Sequence, residues 1–280
     1  MLKKPKPRFT IVFSFMTVLV LLLSACGAAG TPAPSPTTGQ PVHGGTWIDD
    51  IVAGPGSLLP QGSDTTYSVI IDQALYAPYF YGDDAGIVHP GIVSEIPTVA
   101  NGGATADLKT WTFKLRPNLK WSDGQPLTAD DLAYSFKTFN DPTFGAKFTT
   151  GFADIMSTDV SADKLSITMH LDKPIGNFVS NFVDANPGAP LPEHVFASMK
   201  PSEILKSPAS QIPTVTNGPF MIKTDETTAQ QQYTVVRNPN YYRASEGLPY
   251  LDKIVFRIVN DPATILKDVQ AGNITSNWFL

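Results

Sequence analysis

The sequence has few of the features that mark the common functional classes. It has one cysteine in 280 residues, so intrachain disulfides and multi-cysteine metal sites are excluded. With 25 acidic and 20 basic residues and no long basic block, its charge gives no reason to expect a nucleic-acid partner. Motifs of zinc proteases, EF-hands, P-loop NTPases, dinucleotide-binding folds and serine hydrolases are missing too. We therefore predict no metal and no other cofactor.

The composition is nevertheless that of a folded protein. The hydrophobic fraction of 42% is enough for a packed core, and the length allows one large domain or two ordinary ones. No repeat and no sustained heptad occurs, which excludes solenoids and coiled coils.

The first 25 residues have the pattern of a secretory signal. The uncharged run Phe9–Leu23 follows four cations and is shorter than the ~20 residues that a membrane-spanning helix needs. The sequence Leu-Ser-Ala-Cys, ending at Cys26, resembles the bacterial lipobox. This resemblance implies removal of residues 1–25 and attachment of a lipid such as palmitate to Cys26. The alternative, a small buried cysteine, does not explain its position after a signal.

A spacer follows the signal. The stretch from Gly27 to Thr46 has no Asp, Glu, Lys or Arg and is rich in Gly, Pro, Ser and Thr. Such a composition buries too little apolar area to offset the entropy of ordering. We predict that residues 26–43 form a tether between membrane and folded body, with His43 solvated.

The body reads as mixed α/β. Alternation of apolar and polar residues predicts strands at Trp111–Leu115, Leu165–Leu171 and Ile254–Val259, each with one face on a core.

Two helices have clear ends. Thr128 offers an N-cap oxygen with Asp131 at the reciprocal position, so a helix begins there. A second helix is predicted over 262–271, where Ile265, Leu266 and Val269 share a face and Gly272 ends the helix.

Two Pro-rich stretches, Asp184–Pro192 and Ser207–Pro213, are the best candidates for chain crossings between subdomains. A two-segment domain interrupted by an inserted one and two consecutive domains are both consistent with them.

An aromatic cluster is the main positive signal for binding. It consists of Tyr76, Tyr79, Phe80 and Tyr81. Tyrosines suit a binding wall because they combine apolar area with a polar tip, but an ordinary half-buried core face is the commoner explanation. Four acids, Asp49, Asp50, Asp83 and Asp84, could contact a cationic ligand, but solvated loop positions are the commoner explanation. We interpret His194 as a structural or surface residue rather than a ligand.

Nine segments, in order, resemble one known family. They are Gly44–Trp47, Ser57–Pro60, Leu108–Phe136, Lys164–Pro174, Leu191–His194, Asn217–Phe220, Val236–Tyr242, Leu248–Val259 and Val269–Ile274. Together they resemble the extracytoplasmic solute-binding proteins of ABC importers, in the oligopeptide, dipeptide and nickel class called family 5. Leu59, Glu193 and Asn273 depart from that pattern.

The resemblance implies an α/β, type II periplasmic-binding-protein-like fold. In it, residues 44–272 would be the N-terminal lobe with an inserted subdomain at about 63–190, and residues 273–280 the start of a second lobe that is largely absent. Because members of the family continue further, we interpret the chain as truncated, and we expect weak or no ligand binding by it alone.

The resemblance also implies a binding protein that is not an enzyme. It would be lipid-anchored outside the cytoplasm, would capture peptides or related solutes and would deliver them to ABC permease subunits. The loop Ala53–Leu58 and the turn Asn217–Phe220 would face the cleft. With two residues of the aromatic cluster, the candidate ligand-binding residues are Gly54, Pro55, Gly56, Tyr76, Tyr79, Asn217, Gly218 and Pro219.

Two other readings remain open. A secreted lipoprotein hydrolase would use a dispersed Ser, His and Asp set, and an ordered contact between nucleophile and base would support it. A surface interaction module would have a protein partner and no small-molecule cargo.

Overall fold

The computed structural model describes residues 41–62, 65–184 and 189–277. The strands are β1 (Thr46–Ile51), β2 (Phe80–Gly82), β3 (Val88–Pro90), β4 (Thr110–Lys114), β5 (Ile155–Val160), β6 (Ser166–Leu171), β7 (Phe220–Ile222), β8 (Gln232–Arg237), β9 (Lys253–Ile258) and β10 (Ser276–Asn277). The α-helices are α1 (Thr66–Leu75), α2 (Ala129–Asn140), α3 (Glu193–Phe196), α4 (Pro201–Ile204) and α5 (Pro262–Ala271). Short 3₁₀ turns lie at Phe178–Phe182, Pro208–Ser210, Thr224–Glu226 and Ala244–Glu246.

The largest sheet joins the two ends of the described chain. Its strand order is β10-β1-β9-β8-β7. β1 runs parallel to both β9 and β10, whereas β8 runs antiparallel to β9 and β7. Strands β2 to β6 therefore belong to a segment of the chain that is inserted between β1 and β7, two strands of the same sheet.

The two faces of this sheet carry different contacts because side chains alternate along each strand. On one face, Ile51 belongs to a core with Leu75 of α1 and Phe256 of β9. On the other, Arg257 pairs with Asp50 at 2.6 Å and with Asp268 of α5 at 2.9 Å. Helices α1 and α5 thus lie on opposite faces. We call β1, α1, β7 to β10 and α5 the five-stranded region.

The inserted chain forms a second core, dominated by aromatic rings. Its antiparallel sheet has the order β4-β6-β5, and β2 pairs with β3 beside it. Phe182 is fully buried, and its ring centroid lies 4.9 to 5.9 Å from those of five others: Tyr79, Phe113, Phe136, Phe152 and Phe178. We call residues 78–183, with β2 to β6 and α2, the aromatic region.

Both predicted helices are confirmed. The Thr128 Oγ1 accepts the Asp130 N–H at 3.3 Å, and the Asp131 carboxylate accepts the Thr128 N–H at 2.9 Å, which completes a capping box for α2. α5 ends at Gly272, whose φ of 71° lies in the left-handed region that favours glycine. Of the apolar face predicted for α5, only Ile265 is buried; Leu266 is 47% and Val269 45% exposed.

The three predicted strands are confirmed as β4, β6 and β9, with one correction. The alternation places Leu165 on the buried face of β6, and this is wrong, since Leu165 is 37% exposed and the strand begins at Ser166. The chain is still turning at this point: Lys164 has a φ of 59°. The carbonyl of Leu165 accepts the Leu115 N–H at 2.7 Å.

Several predictions concern residues outside the described ranges. These are the signal peptide 1–25, Cys26, the tether up to residue 40, the crossing at 185–188 and the last three residues. The boundaries of the lobe at 44 and 272, and of the inserted subdomain at about 63 and 190, stay predictions. Among the described helices, none has the length and apolar character needed to cross a bilayer.

Candidate functional site

The loop after β1, residues 53–58, is held by side-chain amides from distant parts of the chain. The Gln230 Nε2 donates to the carbonyl of Pro55 at 2.8 Å. The Gln211 Nε2 donates to the carbonyl of Gly56 at the same distance. No sequence signal singled out these two glutamines.

Tyr76 joins this loop to the end of α1. Its hydroxyl donates to the carbonyl of Leu58 at 3.1 Å, and its side chain is buried. Burial, reinforced by the nearby Asp72 carboxyl, raises the pKa of the Tyr76 phenol well above its ordinary value, so the hydroxyl remains a donor. Tyr79 lies in the aromatic core. Both tyrosines therefore lie in the core, as the second interpretation of the aromatic cluster expects. Their assignment to a ligand site stays a prediction.

The turn Asn217–Phe220 docks on the same helix end. The Gly218 N–H donates to the carbonyl of Leu75 at 2.8 Å, and a Cβ at residue 218 would collide with the Leu75 backbone. The Asn217 amide accepts the Ala77 N–H at 3.1 Å and donates to the Ala77 carbonyl at 3.2 Å. Glycine is therefore required for this close approach, and the Asn217 amide pairs with both main-chain polar groups of Ala77.

Asn238 supports the turn from the other side. Its N–H donates to the carbonyl of Pro219 and its Nδ2 to the carbonyl of Gly218, both at 2.9 Å. It is 1% exposed. It lies in the family-like segment Val236–Tyr242, but nothing in that segment indicated a contact with the turn. The loop 53–58 and the turn 217–220, both predicted to face the cleft, therefore meet around residues 75–77.

A buried carboxyl lies beneath this junction. Asp72, on α1, is 1% exposed, and neither of its oxygens has a hydrogen-bond partner in the part of the chain that the structure describes. Burial raises its pKa well above the ordinary value for an aspartate. The neutral form of the acid is therefore favoured inside this core.

Pro219 also lines a largely apolar groove of about 350 Å³ between α1 and the sheet. At one end of this groove, the Trp47 Nε1 donates to the Ser276 Oγ at 3.0 Å, which in turn donates to the Asp49 carboxylate at 2.9 Å. These bonds attach β10 to β1. Larger grooves of about 430, 470 and 580 Å³ elsewhere on the described surface share no lining residue with the loop or the turn.

Of the four acids weighed as ligand contacts or solvated loop residues, two are buried, so the solvated interpretation is wrong for them. Asp49 and Asp50 are 2% and 0% exposed, because they lie within β1 rather than in a loop. Burial raises the pKa of Asp49, and the hydrogen bond from Ser276 opposes this shift. Asp83 lies in an exposed turn, where the hydrogen bond with His89 is the main cause of its lowered pKa.

Three histidines pair with carboxylates. The Nε2 to Oδ2 distance is 2.8 Å in each of His89–Asp83, His170–Asp159 and His194–Asp123. His194 is partly exposed, as predicted for a surface residue. Within the described ranges, no serine hydroxyl is hydrogen-bonded to a histidine, so the contact that would favour a hydrolase does not occur there. Those ranges also contain no group of three or more His, Cys, Asp or Glu that could hold a metal ion.

The sequence matches a known family over most of its folded part. The family described as bacterial extracellular solute-binding proteins, family 5 Middle, matches residues 95–279.

Two curated relatives cover nearly the whole chain. The oligopeptide-binding protein AppA of Bacillus subtilis is 24% identical over 96% of this chain and 47% of its own length. The probable deoxycholate-binding periplasmic protein YgiS of Escherichia coli is 28% identical over 93% of this chain and 48% of its own length. The chain therefore spans about half the length of these relatives.

Solved structures show the same fold. The ABC transporter substrate-binding protein CtaP of Listeria monocytogenes superposes with a TM-score of 0.70 at 25% identity, covering 84% of this chain and 44% of CtaP. AppA in complex with a nonapeptide gives a TM-score of 0.73 at 22% identity, covering 85% of this chain and 44% of AppA. The predicted α/β, type II periplasmic-binding-protein-like fold is confirmed for the part that is covered.

Proposed function

This chain belongs to the bacterial extracellular solute-binding proteins of family 5, and on that premise we propose that it captures peptides outside the cytoplasm for an ABC permease. The name of AppA supports peptides as cargo, whereas that of YgiS indicates that relatives also bind other solutes. The observation that carries the proposal is the junction at residues 75–77, where the loop 53–58 and the turn 217–220 bring main-chain polar groups together.

A site built from main-chain groups suits a peptide. Such groups pair with the ligand's own backbone and read its side chains weakly, so that one site accepts many sequences. In a two-lobed binding protein, the ligand favours the closed state because it binds that state better than the open one. The lobe described here would supply one wall, and we expect this chain alone to bind peptides weakly.

A titration followed by NMR tests this proposal even at millimolar affinity. We expect trialanine to shift the backbone amide signals of residues 53–58 and 217–220, with sucrose as the control solute. Shifts confined to other surfaces, or equal shifts with sucrose, contradict a peptide site at this junction.

Membrane anchoring is a separate part of the proposal. We expect the expressed protein to lose residues 1–25, to carry lipid on Cys26 and to sediment with the membrane on the outer side. Cys26→Ser should move it to the soluble extracytoplasmic fraction, and intact mass would reveal the missing lipid. A Cys26→Ser variant that stays in the membrane would rule out this anchor.

Delivery to a permease predicts a partner. Crosslinking in cells followed by mass spectrometry should recover ABC permease subunits with the full chain. Recovery of another protein partner and no permease would instead favour the surface interaction module.

A further inference from the structure

Two glutamine side chains occupy the carbonyl oxygens at the tip of the loop 53–58. One Gln230 N–H donates to the Pro55 carbonyl and the other to the Gln211 Oε1, each at 2.8 Å. The Gln211 Nε2 donates in turn to the Gly56 carbonyl at 2.8 Å. Both protons of the Gln230 amide are thereby used, and the two side chains form one continuous hydrogen-bonded chain.

This pair of glutamines is itself anchored. The backbone N–H of Gln230 donates to the hydroxyl of Tyr233 at 3.2 Å, and Tyr233 is fully buried in the core under the sheet. Gly54 lies directly against the Gln230 side chain, which a Cβ at residue 54 would strike. Beside Gln211, the Ser210 carbonyl accepts the Leu58 N–H at 2.7 Å. The loop is therefore held at its tip and at its Leu58 end.

The glutamines also decide which polar group the tip can offer. Proline has no N–H, and both carbonyls of the tip, at Pro55 and Gly56, already accept hydrogen bonds. The Gly56 N–H donates to no described residue, and Gly56 is exposed. Since a main-chain N–H requires an acceptor, this N–H is available to water or to a ligand.

We propose that Gln211 and Gln230 are positioning residues that hold the tip so that the Gly56 N–H binds an acceptor group of the ligand, a peptide carbonyl or carboxylate. The inference rests on the proposed function, because it assigns a role within that site. It adds a polarity to the site: the Gly56 N–H offers a donor, so this position favours an acceptor group of the ligand over a donor.

The hydrogen bonds from Gln211 and Gln230 to the loop, which we call the clamp, are tested without any ligand. Gln230→Glu keeps the shape but replaces both donors with a carboxylate that repels the two oxygens they bound. The expected result is about tenfold faster hydrogen exchange at the Leu58 amide, with a melting temperature close to that of the wild type. Gln231→Glu is the matched control, since it adds the same charge at an exposed neighbour. Equal exchange rates at Leu58 in the two variants overturn the clamp.

Trialanine then tests the role in binding. In the wild type the Gly56 amide proton should move downfield on titration, and Gln230→Glu should weaken binding at least fivefold while Gln231→Glu does not. Gly54→Ala, which displaces the Gln230 side chain, should act like Gln230→Glu. If trialanine shifts the loop equally well in all variants, the positioning role is wrong and the peptide site survives. If the wild type shows no shift at Gly56, the acceptor assignment is wrong; if it shows none at either segment, the proposed function fails as well.

Discussion

The aromatic region and the five-stranded region bury acidic side chains in different ways. In the aromatic region the largest rings are fully buried, and its buried Asp131 accepts backbone N–H bonds at a helix start. In the five-stranded region Asp49 and Asp50 pair with the side chains of Ser276 and Arg257, and Asp72 accepts no hydrogen bond from any described residue. Burying a carboxyl lowers stability unless it is paired. The first region therefore depends on ring packing for its stability, and the second on pairs between buried acids and residues distant in sequence.

The largest effect is expected from a substitution within the aromatic core. Phe182→Ala removes a fully buried ring from contact with five others and should lower the free energy of unfolding by about 3–5 kcal/mol in urea titrations. Phe148→Ala is the control, because Phe148 is 41% exposed. Similar losses in the two variants would mean that the rings do not act as a packed core.

The next effect tests the buried charge in the five-stranded region. Asp50→Ala removes a carboxylate that binds Arg257 through two bonds, of 2.6 and 2.9 Å, and should cost about 3 kcal/mol. Asp268→Ala, which leaves the Asp50 pair intact, should cost about 1 kcal/mol. Chemical denaturation measures both. If the two variants lose the same free energy of unfolding, Asp50 contributes no more to stability than Asp268 does.

Replacement of Asp72 should raise stability, in contrast to the two preceding substitutions. Asp72→Asn removes a buried acid whose oxygens accept no hydrogen bond from any described residue, and it should raise the free energy of unfolding at pH 7 by about 1–2 kcal/mol. Because folding raises the pKa of Asp72, the native state binds its proton more tightly than the unfolded state. The wild type should thus lose stability as pH rises from about 4, the unfolded pKa, toward the raised folded pKa.

This pH dependence distinguishes burial from a general charge effect. Asp72→Asn should flatten the stability profile over that range, while the exposed Asp84→Asn should leave it unchanged. Denaturant midpoints at several pH values give the profile. A flat profile in the wild type would contradict a raised pKa for the buried Asp72 carboxyl.

The smallest expected effect is local. Ser276→Ala removes the hydroxyl between Trp47 and Asp49 and should cost about 1 kcal/mol or less, while it speeds amide exchange in β10 and shifts the Trp47 emission. Thr128→Ala at the capping box should cost about 1 kcal/mol without any change at β10. Unchanged exchange in β10 after Ser276→Ala would show that main-chain pairing alone holds this strand.

The sequence predicts the aromatic region better than the five-stranded one, because its signals are local. The capping box at Thr128 and the alternation in β4 and β6 lie within a few residues of the structure they form. In β9 the alternation identifies a strand but not its neighbours. One neighbour of β9 is β1, which lies about 200 residues earlier in the sequence. No local pattern in the sequence indicates a pairing over such a distance.

The same limit applies to the candidate site. The family resemblance selected the loop and the turn, but Gln211 and Gln230 reach the loop from 155 and 175 residues away in sequence. Exposed glutamines follow no period, so nothing in the sequence connects them with Pro55 or Gly56. Asp49 and Asp50 read as solvated because acids are mostly exposed. Their burial depends on Ser276 and Arg257, which are again distant in sequence.

The parallel pairing of β1 with β9 and β10 also orders events during biosynthesis. β1 is the first described strand to be made, yet its neighbours begin only at Lys253 and Ser276. Bringing segments so far apart together costs chain entropy before any contact offsets it. The nascent chain accordingly lacks the β1–β9 pair until residue 258 has been synthesised. Until then β1 has no partner among the described strands, and the edge that later pairs with β9 is open.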